Sequence, residues 1–135
     1  MTQREAVRLC RYMQSHIDLL QIGDWEVEMH LHDSGHVPES EGGGEQCSGH
    51  LKYQLRQCWA KLDVAENHLD ARQTIIHELV HLLLAPMLAA LKRIEPHVEP
   101  AVFELLVSQY DDEEERAVTR IAQALRALEL QAEEE

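Results

Sequence analysis

Between about Gln3 and Leu20 the apolar residues Ala6, Leu9, Cys10, Met13, Ile17 and Leu20 recur at helical spacing and predict an amphipathic first helix, ended by Gly23. The period then changes. From Trp25 to His32 apolar and polar residues alternate, with Trp25, Val27, Met29 and Leu31 on one face and Glu26, Glu28, His30 and His32 on the other. That is the pattern of a half-buried strand. Residues 33–49 are rich in Gly, Ser, Glu and Pro around Gly42-Gly43-Gly44 and read as a mobile loop. His50–Leu55 and Trp59–Val64 supply two further strands, the second again alternating.

The rest of the chain reads as helical. Asp70-Ala-Arg-Gln73 has the form of a capping box. Ile75-Ile76, Leu79-Val80 and Leu82-Leu83-Leu84-Ala85 follow, too dense for a single face, so this helix is expected to be buried nearly all round until Pro86 ends it. Met87 to Arg93 reads as another helical segment and Pro96 to Pro100 as a connection. Ala101–Gln109 looks helical, and Glu113 to about Gln131 forms the final helix, with 132–135 an acidic tail. Three strands among helices in 135 residues describe one domain, 1–135.

Composition narrows the possible functions. A net charge of −13 argues against binding nucleic acid through its phosphates. Three cysteines without framework spacing suit a reducing compartment with free thiols. No stretch reaches the length expected of a membrane span, and the N-terminus lacks a signal-peptide pattern. The expectation is a cytoplasmic, monomeric protein with no nucleic-acid or membrane partner.

The candidate chemistry lies in the buried helix. His77-Glu-Leu-Val-His81 places two imidazoles four residues apart, one above the other on a single helical face, where they can chelate one metal ion. Glu78 can then reach a metal-activated water without being a ligand. This is the H-E-x-x-H arrangement of zinc peptidases. In a chain with 9 histidines three fixed letters are weak by themselves, so the preceding cap and the apolar helix around them carry weight. Two smaller groupings are poorer: Cys47-x-x-His50 with Cys58 lacks a fourth zinc ligand, and His30 and His32 share what reads as a solvated strand face.

A catalytic zinc needs a third protein ligand. The next suitable donors lie in Asp111-Asp-Glu-Glu-Glu115, expected to open the last helix, where acids also favour a helix N-terminus. Glu115 shares a stripe with Val118, Ala122 and Leu125, and Glu114 one with Val118, Ile121 and Leu125, so helical phase keeps both.

Gly23-Asp24-Trp25 leading into a strand, the Gly-rich loop, Ala60-Lys-Leu-Asp-Val64, Thr74-Ile-Ile-His-Glu-Leu-Val-His-Leu82 and Glu115-x-x-Val118-x-x-Ile121-Ala122 together resemble the minigluzincins, small phage- and prophage-type zinc peptidases of the gluzincin clan. The resemblance implies an α+β fold in which a small, mostly antiparallel three-stranded sheet lies beside an N-terminal helix, an active-site helix and a glutamate helix. It implies one Zn2+ held by His77, His81 and Glu115, with Glu78 as general base and then acid in peptide-bond hydrolysis. It also implies that a peptide or protein substrate pairs as an added strand along an edge strand, 60–64. Larger gluzincins often carry an Asp four residues after the glutamate ligand to support a zinc-bound His; here that position is Thr119, or Val118 if Glu114 is the ligand. Tyr53, Tyr110 and several histidines are candidate oxyanion donors. The other reading is a non-catalytic, zinc-stabilised phage interaction module that keeps the fold without turnover. A repressor-cleaving peptidase shares the motif, but the sequence offers no helix-turn-helix.

Overall fold

The computed structural model describes residues 2–33, 35–44, 47–65 and 70–134. Residues 34, 45 and 46 of the expected loop and residue 135 of the expected tail lie outside these. The first helix, α1 (Gln3–Leu19), opens on a complete capping box in which the side chains of Thr2 and Glu5 each accept from the other's backbone N–H. Gly23 does not end it. The chain reverses at Gln21, which takes a left-handed conformation (φ 57°). Ile22 N–H there reaches the Ile17 carbonyl and Gln21 N–H that of Asp18. These paired bonds form a Schellman turn, and they satisfy carbonyls that a helix end otherwise leaves open.

Three strands follow: β1 (Glu26–His32), β2 (Gly49–Gln54) and β3 (Trp59–Ala65), in the sheet order β1-β3-β2. The sheet is mixed, with β3 parallel to β1 and antiparallel to β2. The strand expected at the edge, 60–64, is therefore the middle one. Its backbone is paired on both sides, and Ala60, Leu62 and Val64 are fully buried, so it cannot accept a further strand. Alternation along a strand records which face is buried, not which neighbours flank it. The edges belong to β1 and β2.

One sheet face carries Ala60, Leu62 and Val64, covered by Leu9, Met13 and Ile17 of α1 and by the motif helix. On the other face the buried Asp63 accepts from His32 Nε2 at 2.8 Å, and Lys61 lies 3.8 Å from Asp63 while bonding Glu41. Val37, fully buried, anchors the segment that brings Glu41 there; its N–H bonds the Cys47 carbonyl at 2.7 Å.

The motif helix, α2, spans Ala71–Lys92 and does not stop at Pro86. Proline removes one intrahelical hydrogen bond, but Leu82 and Ala85 just before it are held in the core, and Pro86 itself sits on the exposed side. By length and apolar composition Ala71–His97 is long and apolar enough to cross a membrane, contrary to the expectation that no stretch is. In the fold its Ile75, Ile76, Leu79, Val80 and Leu82 are buried by protein. The last helix, α3, is a single element from Pro100 to Glu134, 35 residues long, where two helical segments and an acidic tail were expected. The run 111–115 thus lies in mid-helix, where the N-terminal dipole cannot account for its acids.

Candidate metal centre

α2 is apolar on two sides because it is used on two sides. Ile75, Leu79 and Leu82 face the sheet and α1, whereas Ile76 and Val80 meet Val118 and Ala122 of α3. Burial of each such side chain contributes about 1.5–3 kcal/mol. α3 runs antiparallel to α2: Arg126 reaches Asp70 at the start of α2, and Glu114 and Glu115 reach His81 further along it. Asp70 also caps α2 by accepting from Arg72 N–H at 3.1 Å. Gln73, expected to close the capping box, lines the cleft beside the histidines.

Between the two apolar seams His77 and His81 face a cleft of about 770 Å³ bounded by α2, β2 and α3. His77 Nε2 lies 2.8 Å from Glu115 Oε1, and His81 Nε2 lies 3.0 Å from Glu115 Oε2. The three residues offer ligand atoms within 4.8 Å of one another, a group that could hold a metal ion. Among the described residues no other such group forms. Two imidazoles and a carboxylate are the nitrogen and oxygen donors that divalent transition metals take. Each Nε2 can meet a carboxylate oxygen only by donating a proton to it or by sharing a cation with it.

Glu114, the rival third ligand, touches the other ring nitrogen: His81 Nδ1 lies 3.3 Å from its Oε1. Donation from Nδ1–H to Glu114 leaves Nε2 as the atom free to coordinate. Exposure separates the two acids, since the Glu114 side chain is 10% exposed and that of Glu115 57%. The position four residues after Glu115, Thr119, lines the cleft. Support for His81 therefore comes from Glu114, the residue before the candidate carboxylate Glu115, rather than from one a turn later.

Glu78 points into the same cleft and is buried, 9% exposed, with no hydrogen-bond partner among the described residues. Burial pushes its carboxyl up to about 7, with nearby Glu115 adding to the rise and His81 opposing it. Burial likewise holds the His77 imidazole below its usual value, partly offset by Glu115. The close approach of β2 requires a glycine: a Cβ at Gly49 would lie 2.5 Å from Thr74 Cγ2 and 3.3 Å from Glu78 Oε1.

Of the proposed oxyanion donors, Tyr53 and His50 line the cleft, and Tyr110 lies close enough to Tyr53 and Glu114 for their charges to raise its phenol further after burial. The smaller groupings do not assemble. Cys47 Sγ donates to the Gly49 carbonyl at 3.0 Å and Cys58 Sγ to that of Leu55 at 3.6 Å, while His32 is taken by Asp63 and His30 by Glu28. The sequence reading missed Glu114 as a partner of Nδ1, and Gly49, Gln73 and Asp111 as cleft wall. Helical phase did carry the first signal, because it kept both glutamates on the inward side.

Comparison with protein-family models, with curated proteins and with solved structures gives no match.

Proposed function

We propose that this protein is a zinc-dependent peptidase of minigluzincin type. The observation that carries the reading is that both His Nε2 atoms converge on Glu115 while the buried Glu78, without a hydrogen-bond partner among the described residues, opens into the same cleft. His77, His81 and Glu115 would hold the ion, a His2Glu set known in catalytic zinc sites. When bound, zinc supplies a Lewis acid that polarises a carbonyl and lowers the pKa of water. Glu78 takes a proton from the attacking water as its oxygen bonds to the scissile carbon. It then passes that proton to the amine nitrogen as the C–N bond breaks, leaving a carboxylate and an amine. Tyr53 donates to the developing oxyanion. The substrate backbone pairs with β2, the edge strand on the cleft wall, in place of 60–64.

The test is peptide cleavage by the zinc-loaded chain, with and without chelator, beside Glu78→Gln. General-base removal is expected to cut turnover by about 10²–10⁴-fold with one zinc per chain retained by elemental analysis. Because the ligand set joins α2 to α3, a second reading is a zinc clasp in a non-catalytic interaction module. Absence of any chelator-sensitive cleavage by the wild type, with zinc-dependent thermal stabilisation, decides for the clasp.

A further inference from the structure

We infer that the cleft selects peptide segments bearing a Lys or Arg side chain beside the bond attacked, with the Asp111 carboxylate as the seat of that cation; this rests on the peptidase reading. Four carboxylates line the cleft, those of Glu78, Asp111, Glu114 and Glu115, and no Lys or Arg does so among the described residues. A divalent ion offsets two of those charges and leaves the cleft net negative. Glu114 and Glu115 are engaged by the histidines, and Glu78 is buried beside them. Asp111 is different: it is exposed and has no hydrogen bond or ion pair among the described residues.

Its place in the fold gives that charge a use. Asp111 stands one helical turn before Glu115, so it faces the same side of α3. It also lines a second groove of about 600 Å³, between the end of α2 and the start of α3, together with Phe103, Glu104, Val107 and Asp112. Glu95 adds to the acids there, and Lys92 is the single cation among the described residues. Asp111 lines both depressions, so a long basic side chain lying in the second groove can lay its methylenes on Phe103 and Val107 and its charge on the carboxylate. Tyr53 adds an aromatic face on the other side of the cleft. Burial, together with Glu114 and Asp111, holds its phenol neutral well into the alkaline range, so it adds no competing charge. The buried Glu78, without a hydrogen-bond partner among the described residues, marks the cleft as a place where a ligand is received.

The experiment uses the zinc-loaded full chain and fluorescein-labelled Gly/Ala nonapeptides in which one Lys, Arg, norleucine or Glu is moved through each position. Cleavage is read as kcat/KM on the wild type, and binding as anisotropy on Glu78→Gln. Lys and Arg peptides are expected to exceed norleucine and Glu peptides at one position by about fivefold or more, shrinking as salt rises. Asp111→Asn should remove that ratio and Asp111→Lys invert it, whereas Glu113→Gln, whose side chain pairs with Arg116 at 3.2 Å, should keep it. Equal handling of all peptides, or a basic preference that survives Asp111→Asn, overturns the inference while leaving the peptidase reading intact. If nothing is cleaved the peptidase reading falls, and the anisotropy ratios alone decide whether the cleft takes basic peptides.

Discussion

Glu114 and Glu115 are neighbours with different tasks because about 100° of helical rotation separates their side chains. That rotation sends one carboxylate to Nδ1 of His81 and the other between the two Nε2 atoms. The consequence is measurable. On the proposed function, Glu115→Gln should weaken zinc binding more than Glu114→Gln, because the first would lose a ligand and the second a supporting acceptor, for which losses of about 10–100-fold are usual. Competition against a chromophoric chelator reads both constants, and a larger loss in Glu114→Gln would exchange the two roles. Helical phase could not divide this labour, and only the resemblance favoured Glu115. Both residues share a stripe with Val118, and phase resolves a face of a helix, not which of two adjacent side chains meets a given ring nitrogen.

At the scale of elements, α2 holds together through a residue that ordinarily stops a helix. Pro86 survives there because Ile75, Leu79 and Leu82 are fixed against the sheet and Ile76 and Val80 against α3. Tertiary burial thus outweighs a local cost of about 3 kcal/mol. Replacing Pro86 by Ala should restore the backbone bond, at the expense of a more flexible unfolded chain, for a net gain of about 1–2 kcal/mol. Urea denaturation monitored by circular dichroism tests this, and an unchanged midpoint would mean that α2 has already relaxed fully around the ring. The same competition explains what was legible in the sequence. The first helix, all three strands and the H-E-x-x-H helix came from local period, since each buries one side or two against whatever lies there. Strand order did not: nothing in Trp59–Val64 says that β1 and β2 flank it on either side. Nor did the continuity of α3, which starts at Pro100 as the prolines suggest but runs on through 111–115, where an acidic run imitates a helix start.

For the whole molecule, the contact that closes the fold was invisible in the sequence because its partners are more than a hundred residues apart. Glu129 of α3 accepts from Tyr12 and lies against His16, both of α1, and Arg126 bridges it to Asp70 at the start of α2. Burial alone would raise the Glu129 carboxyl; the hydrogen bonds from Tyr12, His16 and Arg126 outweigh it and hold the group below its usual 4.5. Its contribution to stability is therefore complete above that value and lost as pH falls through the lower, folded one. Tyr12 marks the opposite limit. Burial first, then its bond to Glu129, hold the phenol well above 10. The unfolded chain ionises first on the alkaline side, so stability is lost as pH rises past 10. Tyr53 and Tyr110 are held up as well and share in the alkaline loss. Tyr12→Phe isolates one share of it. It removes a bond to a charged acceptor, worth about 1.5–3 kcal/mol, and should flatten the decline in unfolding free energy between pH 9 and 11. Urea titrations across that range and down to pH 3 read both limbs. A variant as steep as the wild type in alkali would show that Tyr12 ionises freely in the folded protein and that the polar link of α1 to α3 rests on His16 and Glu129 instead.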